Sequence, residues 1–178
     1  AAVLHRQQTG EGQRIDLAMM EAVAVQVGDA IAEQSATGNI RGPSGNTHSE
    51  AAPYGYFETT EENWLAIGVH SDAEWQALAG HMGRPDLASD TRFVTLTERV
   101  RNAEAANAIV AEWAKGREAT AEATALGALG IAAAESRPFM DIYRRAAPQF
   151  AARGFMRAVT HPEAGTHLVA TLPFQYRD

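Results

Sequence analysis

Residues 54–82 constrain the fold more tightly than any other part of this sequence. Tyr54-Gly55-Tyr56-Phe57-Glu58 and Trp64-Leu65-Ala66-Ile67-Gly68-Val69 are short runs rich in aromatic and β-branched residues. With the polar residues 59–63 between them, they predict a β-hairpin whose second strand is buried. The connection is longer than a tight two-residue turn. Directly behind it, Ser71-Asp72-Ala73-Glu74 is a capping box: the Ser hydroxyl accepts from the backbone N–H three residues on, and the Glu reaches back to the cap N–H. Trp75, Leu78, Ala79 and Met82 then recur at helical spacing, and Gly83 with Pro85 stops the helix. A hairpin followed by an apolar-faced helix makes this an α+β chain.

The pattern continues on both sides. Residues 102–115 carry Ala106, Ile109, Val110 and Trp113 on one face and end at Gly116, and residues 120–129 form an Ala-rich helix closed by Gly130. Phe139, Ile142, Tyr143 and Ala146 suggest a short fourth helix before Pro148. Two strand-like runs, 154–159 and 167–172, flank a turn at His161-Pro162-Glu163-Ala164-Gly165. Upstream, Gln13-Arg14-Ile15-Asp16 reads as a strand entering a long helix. Leu17, Met20, Ala24, Val27 and Ile31 recur along that helix at three- and four-residue steps, Met19, Val23 and Val25 widen its apolar face, and it ends near Thr37-Gly38-Asn39. A helix this apolar needs a partner domain or subunit. Asn39-Ile40-Arg41-Gly42-Pro43-Ser44-Gly45-Asn46 is dense in turn formers and reads as a long exposed loop, the kind of segment on which function concentrates.

Composition excludes several classes. The formal charge of −7 over 178 residues, with no basic stripe to offset it, argues against nucleic-acid binding. With no cysteine the chain has no disulfide, zinc-thiolate site or Cys nucleophile, which suits a reducing cytoplasm. The longest apolar stretch, residues 17–27, is too short to cross a bilayer and holds Glu21 and Gln26, so no membrane role is expected. The first residues, Ala1-Ala2-Val3-Leu4-His5-Arg6, lack an initiator Met and a charged leader, which points to a piece of a longer chain.

Few residues outside the loop are patterned for chemistry. Gly10-Glu11-Gly12 lacks the third glycine of a phosphate cradle and reads as a turn. The six histidines (His5, His48, His70, His81, His161 and His167) show no short metal-ligand spacing, so no metal is expected. Ser44 and Ser49 stand outside any nucleophile elbow. Glu61-Glu62 falls in the hairpin turn, and Glu104, Glu112, Glu118 and Glu122 read as solvated helix faces. Asp29 and Glu33 lie one turn apart and could pair. Trp64, Trp75 and Trp113 fit core positions.

Read together, the segments resemble CoA-transferases of family III, the group that includes formyl-CoA transferase, carnitine CoA-transferase and 2-methylacyl-CoA racemase. Thr9-Gly10-Glu11-Gly12-Gln13-Arg14-Ile15-Asp16-Leu17-Ala18-Met19-Met20-Glu21-Ala22 is similar to that family's strand-to-helix entry. Arg41-Gly42-Pro43-Ser44-Gly45-Asn46 and Ala52-Pro53-Tyr54-Gly55-Tyr56-Phe57 resemble its loop and first small-domain strand. Trp64 to Val69, Ser71-Asp72-Ala73-Glu74-Trp75, Leu78, Gly83-Arg84-Pro85-Asp86-Leu87-Ala88-Ser89-Asp90-Thr91-Arg92-Phe93 and Arg99 follow in order. Ala151-Ala152-Arg153-Gly154-Phe155 and Val159-Thr160-His161-Pro162-Glu163-Ala164-Gly165 resemble the segment that re-enters the large domain.

The resemblance implies a domain plan: residues 1–45 as strand and connecting helix from a large domain, 46–140 as a small α+β domain with a hairpin, small sheet and several helices, and 141–178 as the return segment. It implies an enzyme that moves coenzyme A between an acyl-CoA and a carboxylic acid through an aspartyl intermediate, or a racemase of 2-methylacyl-CoA, in an interlocked homodimer. The coenzyme A thioester would be a substrate, with no permanently bound cofactor. No residue here matches the nucleophilic Asp, which is expected before residue 1, so the chain alone is expected to be inactive. The missing Asp and the apolar helix also leave open a non-catalytic interaction or dimerisation module. In formyl-CoA transferases a mobile glycine-rich loop follows the position of Gly45-Asn46 and closes over the acyl group. Thr47-His48-Ser49-Glu50-Ala51 stands there, so residues Gly45, Asn46, Thr47, His48, Ser49, Glu50 and Ala51 are the expected substrate-binding loop. Without those glycines the loop loses backbone freedom, and oxalate-type specificity does not carry over.

Overall fold

The structure, a computed structural model, describes residues 1–60, 63–138, 140 and 148–175. The chain divides into two compact units, Ala1–Ser44 and Gly45–Asp178. The first unit is helical. Helix α1 (Ala2–Thr9), which the sequence did not announce, ends at Gly10; α2 (Met19–Ala24) runs through a 3-10 turn, Val25–Val27, into α3 (Gly28–Thr37). The expected continuous helix is therefore broken. Val23, Val25 and Val27 are β-branched and crowd the preceding turn, Gly28 is a poor helix former, and Val27 leaves helical geometry at φ −112° and ψ 27°. The expected strand at residues 13–16 does not form either, because a strand requires a hydrogen-bonded neighbour and no described segment of this unit pairs with it. No residue of α1, α2 or α3 is buried, and Leu17, Met19, Met20, Val23 and Val25 are all exposed, so this unit has no core of its own.

The second unit holds the core. Strands β1 (Tyr54–Glu58), β2 (Trp64–Gly68) and β3 (Ala132–Ser136) form an antiparallel sheet in the order β1-β2-β3. The register pairs Tyr54 with Gly68 and Gly68 with Ala132, then Tyr56 with Ala66 and Ala66 with Ala134. Helices α4 (Asp72–His81), α5 (Leu96–Arg101), α6 (Ala103–Ala114) and α7 (Ala119–Ala128) follow the hairpin and precede β3. Side chains alternate across a strand. Phe57, Leu65 and Ile67 accordingly join Trp75, Leu78, Phe93, Val110 and Leu126 in one core, while Trp64 points outward and is 43 % exposed. That corrects the core position expected for Trp64. Each large apolar side chain fully buried here contributes about 1.5–3 kcal/mol.

The capping box at α4 forms with one shift. Ser71 Oγ accepts from Glu74 N at 3.2 Å, but Glu74 takes the N–H of His70, one residue before the cap, at 2.6 Å. Glu118 caps α7 by accepting from Thr120 N and Ala121 N, which holds its carboxyl below the ordinary range. Glu122 is not the solvated residue expected from helix patterning. It sits between His81 Nε2 at 2.7 Å and Arg117 Nη1 at 2.8 Å, tying α4 to α7 and to the turn after α6. Burial opposes its ionisation, yet the hydrogen bonds from His81 and Arg117 prevail and lower its pKa.

The end of the unit carries α8 (Pro148–Ala152) and an antiparallel hairpin of β4 (Met156–His161) and β5 (Gly165–Ala170), as the two strand-like runs indicated. The helix expected around Phe139, Ile142, Tyr143 and Ala146 lies outside the described residues. Among the described residues no helix is long and apolar enough to cross a membrane.

Candidate functional site

The loop at residues 45–51 is fastened to the free edge of β1. Asn46 Oδ1 accepts from Tyr56 N at 2.7 Å and its Nδ2 donates to Tyr56 O at 2.8 Å. Asn107 of α6 treats Tyr54 in the same way, accepting from its N–H at 3.0 Å and donating to its carbonyl at 3.3 Å, and also reaches Asn46 O at 3.4 Å. Two carboxamides thus occupy backbone groups that an edge strand otherwise offers to another chain. Gly55, at φ 146°, makes the contact possible: a Cβ there would stand 2.5 Å from Asn46 Oδ1.

The other end of the loop enters the core. Ala51 and Ala52 are buried, and the buried Arg99 donates to the carbonyls of Ala52 at 3.0 Å, Phe93 at 2.9 Å and Ser71 at 3.0 Å. Asp72 pairs with the same guanidinium at 3.0 Å. Burial pushes the Arg99 pKa down, and Asp72 pulls against it. Arg99 therefore joins the loop, the start of α4 and the turn before α5 through one planar group.

Between these anchors the side chains of Thr47, His48, Ser49 and Glu50 are exposed. His48 Nδ1 accepts from Glu50 N at 3.1 Å, so the neutral ring carries its proton on Nε2. Its ring lies 4.7 Å from that of Tyr54 and 6.5 Å from that of His70, and Tyr54 and His70 stand edge to face at 6.0 Å. The sequence did not single out His70. Its only signal was its place beside the capping box, which shows where the α4 turn brings the chain back toward β1.

Of these rings, Tyr54 and His70 line a hollow of about 450 Å³ on the outward face of the sheet, and His48 packs on Tyr54 beside it. Tyr54 and Tyr56 wall it, and Ala66, Gly68, Ala132 and Ala134 form the floor. A Cβ at Gly68 would meet His70 Nε2 at 3.1 Å and the Tyr54 ring at 3.2 Å, so the bare glycine lets both rings fold over the floor. No carboxylate lines the hollow among the described residues, and none of their acidic and histidine side chains forms a group that could hold a metal. The arrangement can bind and shield a small group by donated hydrogen bonds and apolar contact.

Other conspicuous residues have structural work. Arg41 spans Asp29 and Glu33, and Asn39 also donates to Glu33, so the pair that could have formed an acidic site is held by donors of its own unit and both carboxyls titrate low. In the segment 83–93, Arg84 pairs with Asp86 at 2.7 Å and Arg92 with Asp90 at 2.6 Å, while Phe93 is buried.

The sequence model of CoA-transferase family III matches residues 1–178. The chain belongs to CoA-transferase family III. This family III chain is 30 % identical over 164 residues to the succinyl-CoA–D-citramalate CoA-transferase of Chloroflexus aurantiacus, covering 92 % of itself and 40 % of that protein. It is 35 % identical over 113 residues to the succinyl-CoA:mesaconate CoA-transferase of Haloarcula marismortui, covering 64 % of itself and 28 % of that protein. The crystal structure of a CAIB/BAIF family protein from Brucella suis superposes with a TM-score of 0.76 at 26 % identity, over 97 % of the family III chain and 47 % of the other. The chain spans less than half the length of the relatives it matches.

Proposed function

We propose that this chain is the small domain, with its connecting arms, of an enzyme that transfers coenzyme A between an acyl-CoA and a carboxylic acid, and that residues 45–51 close over the reacting acyl group. The observation that carries this reading is the loop itself. It is anchored at Asn46 and at Ala51–Ala52, and between those points it presents His48 beside an apolar hollow. A segment held at both ends, with a ring nitrogen left to donate, suits a cover that excludes water from a thioester. The nucleophile would be an aspartate outside residues 1–178, attacking the thioester carbonyl and releasing coenzyme A as its thiolate. The acyl-CoA is substrate, with no permanent cofactor, and the complete enzyme would be a cytoplasmic homodimer whose subunits interlock. The Chloroflexus aurantiacus and Haloarcula marismortui relatives are CoA-transferases, which favours transfer over racemisation.

The test uses the full-length polypeptide. Incubation with acyl-CoA and hydroxylamine should trap an aspartyl hydroxamate upstream of Ala1, while the 178 residues alone should turn over no acyl-CoA. Turnover by the isolated chain would show that the nucleophile lies within it.

A further inference from the structure

The covering loop carries an imidazole, the kind of side chain whose charge changes between about pH 5 and 8. Resting on the transfer reading above, we propose that His48 is a proton-sensitive latch: the neutral ring holds residues 48–50 in the closed arrangement, and a proton on Nδ1 releases them. His48 Nδ1 accepts from Glu50 N at 3.1 Å. It can do so only as the neutral ring that carries its proton on Nε2. The same ring packs on Tyr54 at 4.7 Å, and Tyr54 lines the hollow. The latch therefore stands where the loop meets the hollow.

A proton on Nδ1 turns the acceptor into a donor. Two N–H groups then oppose each other across 3.1 Å, and the Glu50 amide loses its partner. The face of the Tyr54 ring attracts a cation, which keeps the imidazole in place and makes the backbone of residues 49–50 the part that gives way. The other ionisable groups around the ring do not restore the bond. His70, in the turn before α4, lies 6.5 Å away and adds like charge when it is protonated too. Glu74 of α4 is committed to the N–H of His70 at 2.6 Å, and Glu50 on the loop itself is exposed, so water screens its carboxylate. The closed loop accepts a proton less readily than the open one, and closure weakens as pH falls.

The experiment follows amide exchange in the peptide covering residues 45–53 of the full-length protein, by mass spectrometry, across about pH 8 to 5 and corrected for the intrinsic pH dependence of exchange. In the parent, protection of this peptide should fall about three- to tenfold, the worth of one hydrogen bond. His48→Gln does not titrate in this range, and its protection should change by less than about twofold. His161→Gln is the control: its Nδ1 accepts from Glu163 N and Ala164 N at 3.2 Å in the β4–β5 turn, and its loss should leave the parent response intact. A flat parent, a His48→Gln variant that responds as the parent does, or a response abolished by His161→Gln would overturn the latch. So would protection lost only together with the circular dichroism of the whole protein. Turnover is read separately. If the full-length enzyme transfers no coenzyme A, the transfer reading fails while the exchange result still decides the latch. If it does transfer, kcat should fall more steeply toward pH 5 in the parent than in His48→Gln, and parallel profiles count against the latch.

Discussion

Asn46 grips Tyr56 by both ends of one carboxamide, 2.7 Å from its N–H and 2.8 Å from its carbonyl, in the way that a neighbouring strand would. Asn107 repeats the arrangement one step along the strand, at Tyr54. The free edge of β1 is closed without a further strand, and Asn46 is held to the backbone of Tyr56, one of the rings that line the hollow.

The two grips should be separable. Asn46→Ala removes the partners of Tyr56 and should expose its amide to solvent exchange while leaving the Tyr54 amide protected; Asn107→Ala should do the reverse. Each variant should lose about 1–2 kcal/mol, the yield of two hydrogen bonds at an exposed edge. Amide exchange read residue by residue checks this, and simultaneous loss of protection at both tyrosines in either variant would mean that the edge behaves as one unit.

Gly55→Ala tests the same contact from the other side. A methyl group at that position meets Asn46 at 2.5 Å, and φ 146° is strained for any residue with a Cβ. Destabilisation of about 1–3 kcal/mol is expected from the backbone alone. Displacement of Asn46 should add faster exchange at Tyr56. A variant as stable as the parent, with Tyr56 still protected, would refute the close approach.

Arg99 presents a sharper case, because it is buried and satisfies three carbonyls from separate segments. Arg99→Met keeps much of the volume but strands the buried carbonyls of Ala52 and Phe93, whereas Ser71 O keeps the N–H of Trp75 and the half-exposed Asp72 turns to water; about 2–5 kcal/mol should be lost, at about 1–3 kcal/mol for each buried acceptor left unpaired. Arg99→Lys should recover only part, since an ammonium cannot reproduce the planar fork. Urea unfolding followed by tryptophan fluorescence reports the order parent, Lys, Met.

Much of this architecture could be read from residue patterns. The hairpin and α4 are specified locally: apolar runs bounded by polar residues, then a Ser hydroxyl placed for its own helix. Strand β3 was not legible, because Ala132-Ala133-Ala134 favours helix and becomes strand only through its ladder with β2, a tertiary effect. The outward turn of Trp64 depends on which face α4 and α6 cover, which alternation alone does not fix. At the site, the loop was visible from its turn formers and its histidine. Asn107 and His70 were not, since each matters only through what the fold brings to β1 from elsewhere in the chain.

Asp90 gives a prediction in pH. Two hydrogen bonds from the Arg92 side chain and one from its backbone N–H lower the Asp90 carboxyl from 3.8 to about 2. In the unfolded chain it titrates near the ordinary value, so between these limits the unfolded state binds the proton more readily. The contribution of Asp90 to stability is therefore complete above about pH 5 and is lost as pH falls toward 2. Asp90→Asn keeps an acceptor for the Arg92 N–H but removes the charge. The stability gap between parent and variant should be constant near neutrality and should shrink steadily below pH 4. Thermal melts across that range measure it. A gap that stayed the same at pH 6 and pH 2.5 would show that Arg92 does not hold the carboxylate in solution.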